Sequence, residues 1–407
     1  MEKAINVLSL FDGCSGGRQA LERTGVKVNQ YYASEIDKYA IKVTQANYPN
    51  TIQLGSVVNV DVSKLPKIDL LIGGSPCQSF SFAGKRKGMS TKCETEILTL
   101  SQYLQLKKEG FEFEGQSFLF WEYMRILTEI RQVNPDVKFL LENVEMGEKW
   151  EKVLSKAIGV NGVHINSALV SAQNRKRIYW CNFGVTTTDL FGETIYSIPQ
   201  PSDKGILLKD ILEIEVDEKY YLSETFINWL EKHSLKRGNE FKKTIGDRKS
   251  SCLTVSALKS VNLSSDFIVA NGAKEQVVGR KAQKDGTYKR EYEISNDQKA
   301  KTLETNKHKN NVAISDKIMC IGGLQKNATT YIDKSTPMVS AMGMGGGHIP
   351  IVNPNQLLRR LTPIECERLQ TVKDNYTNHV SDSQRYKMLG NGWTIDVICH
   401  ILQFLTD

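Results

Sequence analysis

The stretch AINVLSLFDGCSGG, residues 4–17, decides the fold of the first half of the chain. Its first seven residues, Ala4–Leu10, are apolar enough for a buried strand, and the glycine-rich segment that follows predicts a tight turn. A helical pattern begins directly after that turn. A strand, a glycine-rich turn and a helix in this order are typical of the first unit of a doubly wound sheet.

The same alternation continues up to Pro199. Short apolar runs at 30–34, 68–72 and 137–141 predict further strands, and helical spacing at 38–48 and 118–131 predicts helices between them. Gly73–Gly74 is expected to end the strand at 68–72, and Glu142–Asn143 is expected to end the strand at 137–141. Strands separated by helices predict an α/β fold with a doubly wound, mostly parallel, Rossmann-like sheet.

The character of the sequence changes at Pro199–Pro201. Three stretches, 251–256, 300–305 and 336–341, resemble one another, and each precedes a second apolar run. We interpret them as three β-hairpin units, although β-rich segments also resemble one another by chance. Helical patterning returns after Leu357. The predicted organisation is a first domain at 1–200, a smaller β-rich inserted lobe at 201–354, and a C-terminal segment, 355–407, that returns to the first domain.

The positive charge is concentrated in the predicted lobe. The chain has 407 residues and a formal net charge of +7, and residues 232–309 hold 18 Lys and Arg against 9 Asp and Glu. That segment therefore carries +9 and the remainder −2. A basic segment in a nearly neutral protein favours a polyanionic partner. A solvated, lysine-rich surface explains the charge alone equally well.

Cysteine spacing and hydropathy exclude several classes of protein. The eight cysteines include no C-x-x-C pair, which argues against a zinc site or a secreted disulfide framework, so no metal is expected. No apolar run approaches the roughly 18 residues that a membrane helix needs, and the first residues lack the layout of a signal peptide. We therefore expect a cytoplasmic protein without a membrane partner.

Reactive or ligand-like side chains follow several of the predicted strands. Glu35 ends one strand, where an acid can accept hydrogen bonds from ribose hydroxyls or simply cap the next helix. Cys77 lies in the turn 74–78, where a constrained, accessible thiol could act as a nucleophile; a single cysteine is otherwise often a core residue. Glu142 ends another strand, and Arg175 and Arg177 come later. A thiolate, a carboxyl and a guanidinium together suit addition to carbon 6 of cytosine.

These motifs, in this order, resemble those of the DNA (cytosine-5)-methyltransferase family, of bacterial or phage type, over essentially the whole chain. The segments 11–17 and 35–37 are similar to the first two motifs. Ser75–Gln78 matches the catalytic loop, 142–144 the Glu-Asn-Val motif, and 173–177 the Q-x-R-x-R motif. The segments 360–369 and 389–392 resemble the ninth and tenth motifs. The resemblance implies S-adenosyl-L-methionine as cofactor and double-stranded DNA as partner.

The resemblance also implies roles for individual residues. Cys77 is the nucleophile, Glu142 holds ring nitrogen 3 of the base, Arg177 contacts oxygen 2, and Arg175 orders the pocket. Eight residues are implied to bind the cofactor: Phe11, Gly13, Gly16, Glu35, Ile36, Ser56, Pro76 and Asn391. The lobe would be the target-recognition domain, and a monomer is expected.

The chain departs from the family pattern at four places. Ser15 stands where the second glycine of the first motif is usual, and Ser56 replaces an Asp that normally reaches the adenine amino group. Trp393 stands where the tenth motif usually has Val. The segment 88–116 is long and is interpreted as an insertion beside the catalytic loop.

Two other functions fit the same residues. A transfer-RNA cytosine methyltransferase shares the thiolate and the Glu-Asn-Val motif, but the basic lobe and the lack of a Cys-Phe-Thr signature count against it. A catalytically silent DNA-binding relative is disfavoured because the reactive residues are all present. A partner of a restriction endonuclease, a solitary regulator and a phage shield against restriction all remain open as biological roles.

Overall fold

The computed structural model describes residues 4–76, 89–93, 95–188, 192, 194–221 and 359–405, with Ser335, Met338 and the backbone of five strands between 274 and 352. The chain divides into two compact units. The first unit comprises 1–212, 335–349 and 362–407, and the second comprises 213–334 and 350–361. Cys77 lies outside the described residues, as do 251–256, 267–269, 300–305, 311–314 and most of 336–341.

A seven-stranded sheet forms the centre of the first unit. Its strands are β1 (Ile5–Leu10), β2 (Val28–Ser34), β3 (Ile52–Gln53), β4 (Leu70–Gly74), β5 (Lys138–Val144), β6 (Val163–Asn166) and β7 (Lys176–Cys181). Their order across the sheet is β3-β2-β1-β4-β5-β7-β6. The pairs among β1 to β5 are parallel, and β7 runs antiparallel to both of its neighbours. The predicted doubly wound, mostly parallel sheet is confirmed.

Helices cover both faces of this sheet. The helices of this half are α1 (Gly16–Arg23), α2 (Lys38–Asn47), α3 (Leu100–Lys108), α4 (Phe120–Val133) and α5 (Glu148–Ile158). On one face, Leu8, Leu71 and Phe139 are fully buried in a core that includes most of the apolar residues of α4. On the other face α1 packs tightly, since a Cβ at Gly17 would lie 2.2 Å from Cδ1 of Ile72. Burial on both faces explains the continuous apolar runs of the parallel strands.

Two predicted strand ends were placed too early. The strands continue through Gly73–Gly74 and through Glu142–Val144. Gly74 pairs with Glu142, and Val144 pairs with Arg177 on β7, a strand that the apolar runs had not indicated. Because neighbouring strands supply the backbone hydrogen bonds, glycine and polar residues stay extended there despite their weak strand propensity.

The segment 88–116 is anchored by a buried carboxylate. Glu122 of α4 is fully buried, and its oxygens accept hydrogen bonds from the Tyr103 hydroxyl (2.5 Å) and from Nε of Arg125 (2.7 Å), beside an ion pair with Lys107. Burial raises the pKa of Glu122, but these donors outweigh it and leave the pKa lowered. The described part of the segment, with α3 at its centre, is therefore fixed to α4.

Residues 362–407 of the C-terminal segment belong to the first unit, and the residues of the segment before them belong to the second. The segment contains α6 (Pro363–Leu369), α7 (Asp382–Asn391) and α8 (Ile395–Leu402). Ile395, Ile398 and Ile401 of α8 are buried, as their helical spacing predicts. α8 packs against α1, where an ion pair joins Arg23 to Asp396 and where Cδ1 of Ile395 would lie 3.2 Å from a Cβ at Gly16.

The remaining strands form three small antiparallel sheets. In the first unit, β8 (Val185–Thr188) pairs with β9 (Thr194–Ser197). In the second unit, a ribbon consists of β10 (Lys274–Ala282) and β11 (Tyr288–Ser295), paired along their length. A four-stranded sheet of that unit comprises β12 (Met319–Ile321), β13 (Thr330–Ile332), β14 (Ile351–Val352) and β15 (Arg359–Arg360), in the order β13-β12-β14-β15.

Candidate active site

The carboxyl ends of the parallel strands bring most of the predicted site residues to one edge of the sheet. Leu10 pairs with Ser34 on one side and with Gly73 on the other, and Gly74 pairs with Glu142. Phe11, Glu35, Ser75–Pro76 and Glu142 therefore follow or end neighbouring strands at the same level. This edge is where open α/β sheets bind their ligands.

The turn after β1 adopts an unusual backbone conformation. Phe11, Gly13 and Ser15 all have φ between 57° and 59°, in the left-handed region. That region costs a non-glycine residue about 1–2 kcal/mol, which explains the glycine that is usual in the family at position 15. Here the Ser15 hydroxyl donates to Oδ2 of Asp12 (2.5 Å) and lies 3.1 Å from the Thr44 hydroxyl, contacts that offset the strain.

Asp12 lies buried beneath this turn. Its carboxylate accepts hydrogen bonds from Ser15 and from the Tyr31 hydroxyl (2.8 Å). Burial nevertheless raises the pKa of Asp12 to about 6, because desolvation of the charged form outweighs those hydrogen bonds. Burial also raises the pKa of the neighbouring Cys14 thiol to about 12, so Cys14 is an inert core residue.

Glu35, at the end of β2, is held by the main chain. Its Oε2 accepts the backbone N–H of Gly13 (2.8 Å), and its Oε1 accepts those of Ile36 (2.7 Å) and Asp37 (2.8 Å). A carboxylate offers about four acceptor positions, so Oε2 keeps one for a ligand hydroxyl. Beside it the apolar side chain of Ile36 is 71% exposed, a surface that suits the face of a nucleobase.

Ser56, the third predicted residue of this corner, begins the short 3₁₀ turn Val57–Asn59. Its side chain makes no capping hydrogen bond to that turn. The preceding Gly55 has φ +74°, and its carbonyl accepts a hydrogen bond from the Ser34 hydroxyl (2.8 Å). The turn is thus tied to the end of β2 next to Glu35, and the half-buried Ser56 belongs to the same corner.

Glu142 forms a second corner at the end of β5, with side-chain partners. It is 8% exposed, and its Oε1 lies 3.0 Å from Nε of Arg177 on the neighbouring antiparallel strand. Its Oε2 accepts a hydrogen bond from the indole Nε1 of Trp393 at 3.3 Å. Next to it, Nδ2 of Asn143 donates to the Ser75 hydroxyl at 2.9 Å, which fixes the start of the segment that leads through Pro76 to position 77.

Arg175 is buried away from solvent and contacts the tenth motif. Its Nη1 donates to the carbonyl of Met338 (2.8 Å), its Nη2 donates to that of Gly392 (2.9 Å), and both reach the carbonyl of Gly390 at 3.4 Å. These hydrogen bonds tie the segment before β7 to the turn between α7 and α8. Asn391, the last residue of α7, directly precedes that turn and is exposed.

Among the described residues, the structure brings part of the predicted set together in two groups, called corners here, whereas Arg175 and Asn391 lie in neither and Cys77 is outside the described residues. Glu35, Ile36, Ser56 and the first turn form one corner, and Glu142 and Arg177 form the other. Trp393 is the partner that the sequence reasoning missed, since it was visible only as a departure from the family pattern. Among the described residues, no group of three or more His, Cys, Asp or Glu is arranged to hold a metal ion. No helix in the described ranges has the length and apolarity to cross a membrane.

Comparison with known proteins gives a consistent result. The chain is 29% identical over 452 aligned positions to the orphan methyltransferase M.SPRI of Bacillus phage SPR, covering 98% of this chain and 97% of that protein. It is 26% identical to the type II methyltransferase M.BanI of Aneurinibacillus aneurinilyticus, covering 98% and 95%. A mutant of Spodoptera frugiperda DNMT2 shares the fold, with a TM-score of 0.51 at 16% identity, covering 99% of this chain and all of that one.

The family assignment rests on the full length of the chain. The sequence model described as C-5 cytosine-specific DNA methylase matches residues 5–406, from the first strand of the sheet to the end of the C-terminal segment. The match thus includes every residue of both corners of the site. The chain belongs to the C-5 cytosine-specific DNA methylase family.

Proposed function

We propose that this chain transfers a methyl group from S-adenosyl-L-methionine to carbon 5 of cytosine in a specific duplex DNA sequence, through a transient Cys77 adduct. The observation that carries the proposal is the buried carboxylate of Glu142, whose Oε1 lies 3.0 Å from Nε of Arg177. Next to Glu142, Asn143 hydrogen-bonds Ser75, at the start of the segment Ser75–Pro76 that precedes Cys77. A carboxyl and a guanidinium next to a thiol supply what addition to a cytosine ring requires.

The proposed reaction begins with the target base flipped out of the duplex, because its reactive atoms cannot be reached in the stack. The Cys77 thiolate adds its electron pair to carbon 6, while Glu142, acting as an acid, donates a proton to ring nitrogen 3 and so neutralises the charge that moves into the ring. Carbon 5, now electron-rich, would form a bond to the methyl group, while the carbon–sulfur bond of the sulfonium breaks and its electron pair stays on sulfur as a neutral thioether. Loss of the proton on carbon 5 and elimination of the thiolate restore the aromatic ring and free Cys77.

The two arginines have different proposed roles. Arg177 is paired with Glu142 and is proposed to contact oxygen 2 of the base with its remaining donors. Arg175 is proposed as a positioning residue, since its guanidinium is taken up by the carbonyls of Met338, Gly390 and Gly392. No side chain is assigned as the base that removes the carbon 5 proton.

The residues of the cofactor corner fit an adenosine group. The open position on Oε2 of Glu35 suits a ribose hydroxyl, and the exposed Ile36 suits the adenine ring. Phe11, Gly13, Gly16, Ser56, Pro76 and Asn391 complete the proposed set. S-adenosyl-L-methionine, when bound, supplies an electrophilic methyl group on a sulfonium; the chain's own residues orient it and exclude water.

We also propose that the region 201–354 recognises the DNA target. In the ribbon formed by β10 and β11, Arg280 stands opposite Arg290, and Lys281 stands opposite Lys289. This concentration of basic residues in the sequence of the ribbon favours a polyanionic partner. A two-stranded ribbon also fits the major groove of DNA.

The proposed biological setting follows from the substrate. DNA in a bacterial or phage-infected cell places the enzyme in the cytoplasm, and one chain that carries both corners can act as a monomer. M.SPRI is named an orphan methyltransferase and M.BanI a type II methyltransferase. Both a solitary role and pairing with a restriction endonuclease are therefore proposed for this chain. Mapping methylated cytosines in a host that expresses the gene would identify the target sequence.

The deciding experiment measures transfer of labelled methyl groups to duplex DNA and to transfer RNA. Wild-type protein should label DNA and not transfer RNA, and Cys77→Ser should lose nearly all transfer while it still binds DNA, because a serine hydroxyl is far less ionised than a thiol. Labelling of transfer RNA alone would favour the alternative substrate. No labelling of either, with DNA binding intact, would favour the silent relative. Substantial turnover by Cys77→Ser would remove the proposed nucleophile.

The proposed DNA contact of the lobe is tested by removing two lysines from the ribbon and, as a control, two lysines from the first unit. Lys281→Ala with Lys289→Ala should weaken binding to all DNA sequences and lower the salt slope by about 0.9 for each phosphate that is no longer neutralised, while the methylated sequence stays the same. The control is Lys27→Ala with Lys67→Ala, two exposed lysines that precede β2 and β4 at the opposite edge of the sheet. Equal salt slopes for both pairs would contradict the proposal.

A further inference from the structure

Glu142 has a second partner, Trp393, which lies between α7 and α8. Arg177 approaches Oε1 of the carboxylate, and the indole N–H of Trp393 donates to Oε2 from the opposite end of the chain. The torsion that orients a carboxylate is broad, so a single donor leaves the group free to turn. Two donors on different oxygens fix its plane.

The two residues next to Trp393 in the chain, Gly392 and Thr394, are both fixed by hydrogen bonds. The carbonyl of Gly392 accepts hydrogen bonds from Arg175 (2.9 Å) and from Gln370 (3.3 Å). The hydroxyl of Thr394 lies 2.8 Å from Oε1 of Gln370 and accepts a hydrogen bond from Ser167 (2.9 Å). The backbone that carries the indole is therefore fixed by buried groups from three other segments.

Three glycines leave the space that the indole occupies. A Cβ at Gly74 would lie 2.9 Å from Nε1 of Trp393 and 2.9 Å from Oε2 of Glu142, at the hydrogen bond itself. A Cβ at Gly17 would lie 3.4 Å from the ring, and one at Gly16 would lie 3.8 Å from Cβ of Trp393. The ring thus lies against the first turn, the end of β4 and Glu142.

We propose that Trp393 is a positioning residue for the reaction: its indole N–H orients the Glu142 carboxylate toward ring nitrogen 3 of the flipped cytosine. This inference rests on the proposed function of Glu142. Because the base is held by Glu142 most strongly as charge enters the ring, misorientation affects turnover more than ground-state binding.

The first test compares Trp393→Phe with Trp180→Phe. The first change removes the N–H and keeps an aromatic ring; the second removes an indole hydrogen bond of 2.8 Å to Ser155, elsewhere in the same sheet. For Trp393→Phe we expect kcat to fall about tenfold, equivalent to about 1.4 kcal/mol, with the KM for DNA and for cofactor within about twofold. Trp180→Phe should leave kcat unchanged.

Three outcomes of this test are informative. An unchanged kcat in Trp393→Phe overturns the inference, and so does a rise in the cofactor KM alone, which would make the indole part of the cofactor site. An equal fall in kcat for both variants would also overturn it, since a general loss of packing would then explain the effect. Absence of methylation by the wild-type protein would instead remove the proposed function.

A second measurement covers the case in which Trp393→Phe does not fold. The chain has five tryptophans, and fluorotryptophan labelling gives each its own fluorine resonance. Phe variants of the other four assign their resonances, and Trp393 follows by elimination. Glu142→Ala, which leaves the indole N–H without its acceptor, should then shift the Trp393 resonance more than that of Trp180. An unmoved Trp393 resonance would overturn the inference.

Discussion

Glu35 directly follows β2 and Glu142 lies near the end of β5 in the same sheet, but different parts of the molecule hold them. Glu35 receives three hydrogen bonds from the backbone, two of them from the residues that directly follow it. Glu142 is held by the side chains of Arg177 and Trp393, which lie 35 and 251 positions further along the chain. One carboxylate is set by local backbone geometry, the other by specific residues brought together by the fold.

This difference matches what each corner is proposed to do. Ribose hydroxyls are held alike before and during the reaction, so a site for them needs only stable acceptors, and main-chain donors provide that. A carboxylate that responds to charge developing in a ring must have a fixed orientation, and this depends on directed side-chain donors. The comparison predicts that changes at Glu142 act on turnover, whereas changes at Glu35 act on affinity.

The largest expected effect comes from Glu142→Gln. An amide has one acceptor end and one donor end, so either Arg177 or Trp393 loses its partner, and the group can no longer serve as an acid. We expect kcat to fall by roughly a thousandfold or more, in line with the loss of general acid catalysis and of a preorganised hydrogen bond. Single-turnover kinetics with saturating DNA and cofactor measures this. A near-normal rate would end the proposed role at ring nitrogen 3.

The next effect concerns Asp12, which is buried under the turn after β1 and accepts hydrogen bonds from Ser15 and Tyr31. Its pKa is raised from 3.8 to about 6, so the folded protein binds this proton more tightly than the unfolded chain does. The contribution of the protonated Asp12 to stability is therefore complete below about pH 4 and is lost as the pH rises through 6. The total is roughly 3 kcal/mol. Asp12→Asn stays neutral and should lack this loss.

Urea unfolding between pH 4 and 8 tests the Asp12 prediction. The free energy of unfolding of Asp12→Asn minus that of the wild-type protein should rise with pH up to about 6 and then stay level. The other carboxyl groups are common to both proteins and cancel in this difference. A difference that does not vary with pH would show that Asp12 is not the group responsible.

The smallest effect is expected for Glu35→Ala. The backbone donors of Gly13, Ile36 and Asp37 lose their acceptor, and the ribose loses one charge-assisted hydrogen bond. We expect the KM for S-adenosyl-L-methionine to rise about tenfold, with kcat at saturation within about twofold. Steady-state kinetics over a range of cofactor concentrations measures both values. A loss confined to kcat would erase the distinction between the two corners.

The sequence predicted the sheet well because its strands rest on local features, whereas the cofactor-binding role of Glu35 and its neighbours stays a prediction. Apolar runs located the strands, and Glu35 stood directly after one of them. The ends of β4 and β5 were predicted too early, because the backbone stays extended up to Gly74 and Val144 only through pairing with neighbouring strands. The hydrogen bond from Trp393 to Glu142 could not be predicted, since spacing carries no information about residues so distant in the chain. Ser15 in the left-handed region was equally hidden, because its hydroxyl partners Asp12 and Thr44 compensate only in the folded turn.

The packing of α8 against α1 has a consequence for how the protein is made. The partner of α1 lies about 370 residues later in the chain, beyond the whole second unit. At a synthesis rate of about 5–20 residues per second, roughly 20–75 seconds pass before α8 has been translated. During that time the apolar face that α8 will cover stays open on the ribosome, and the turn that carries Trp393 does not exist. We therefore expect the first unit to complete its folding only after α8 has been synthesised, long after the strands of its central sheet.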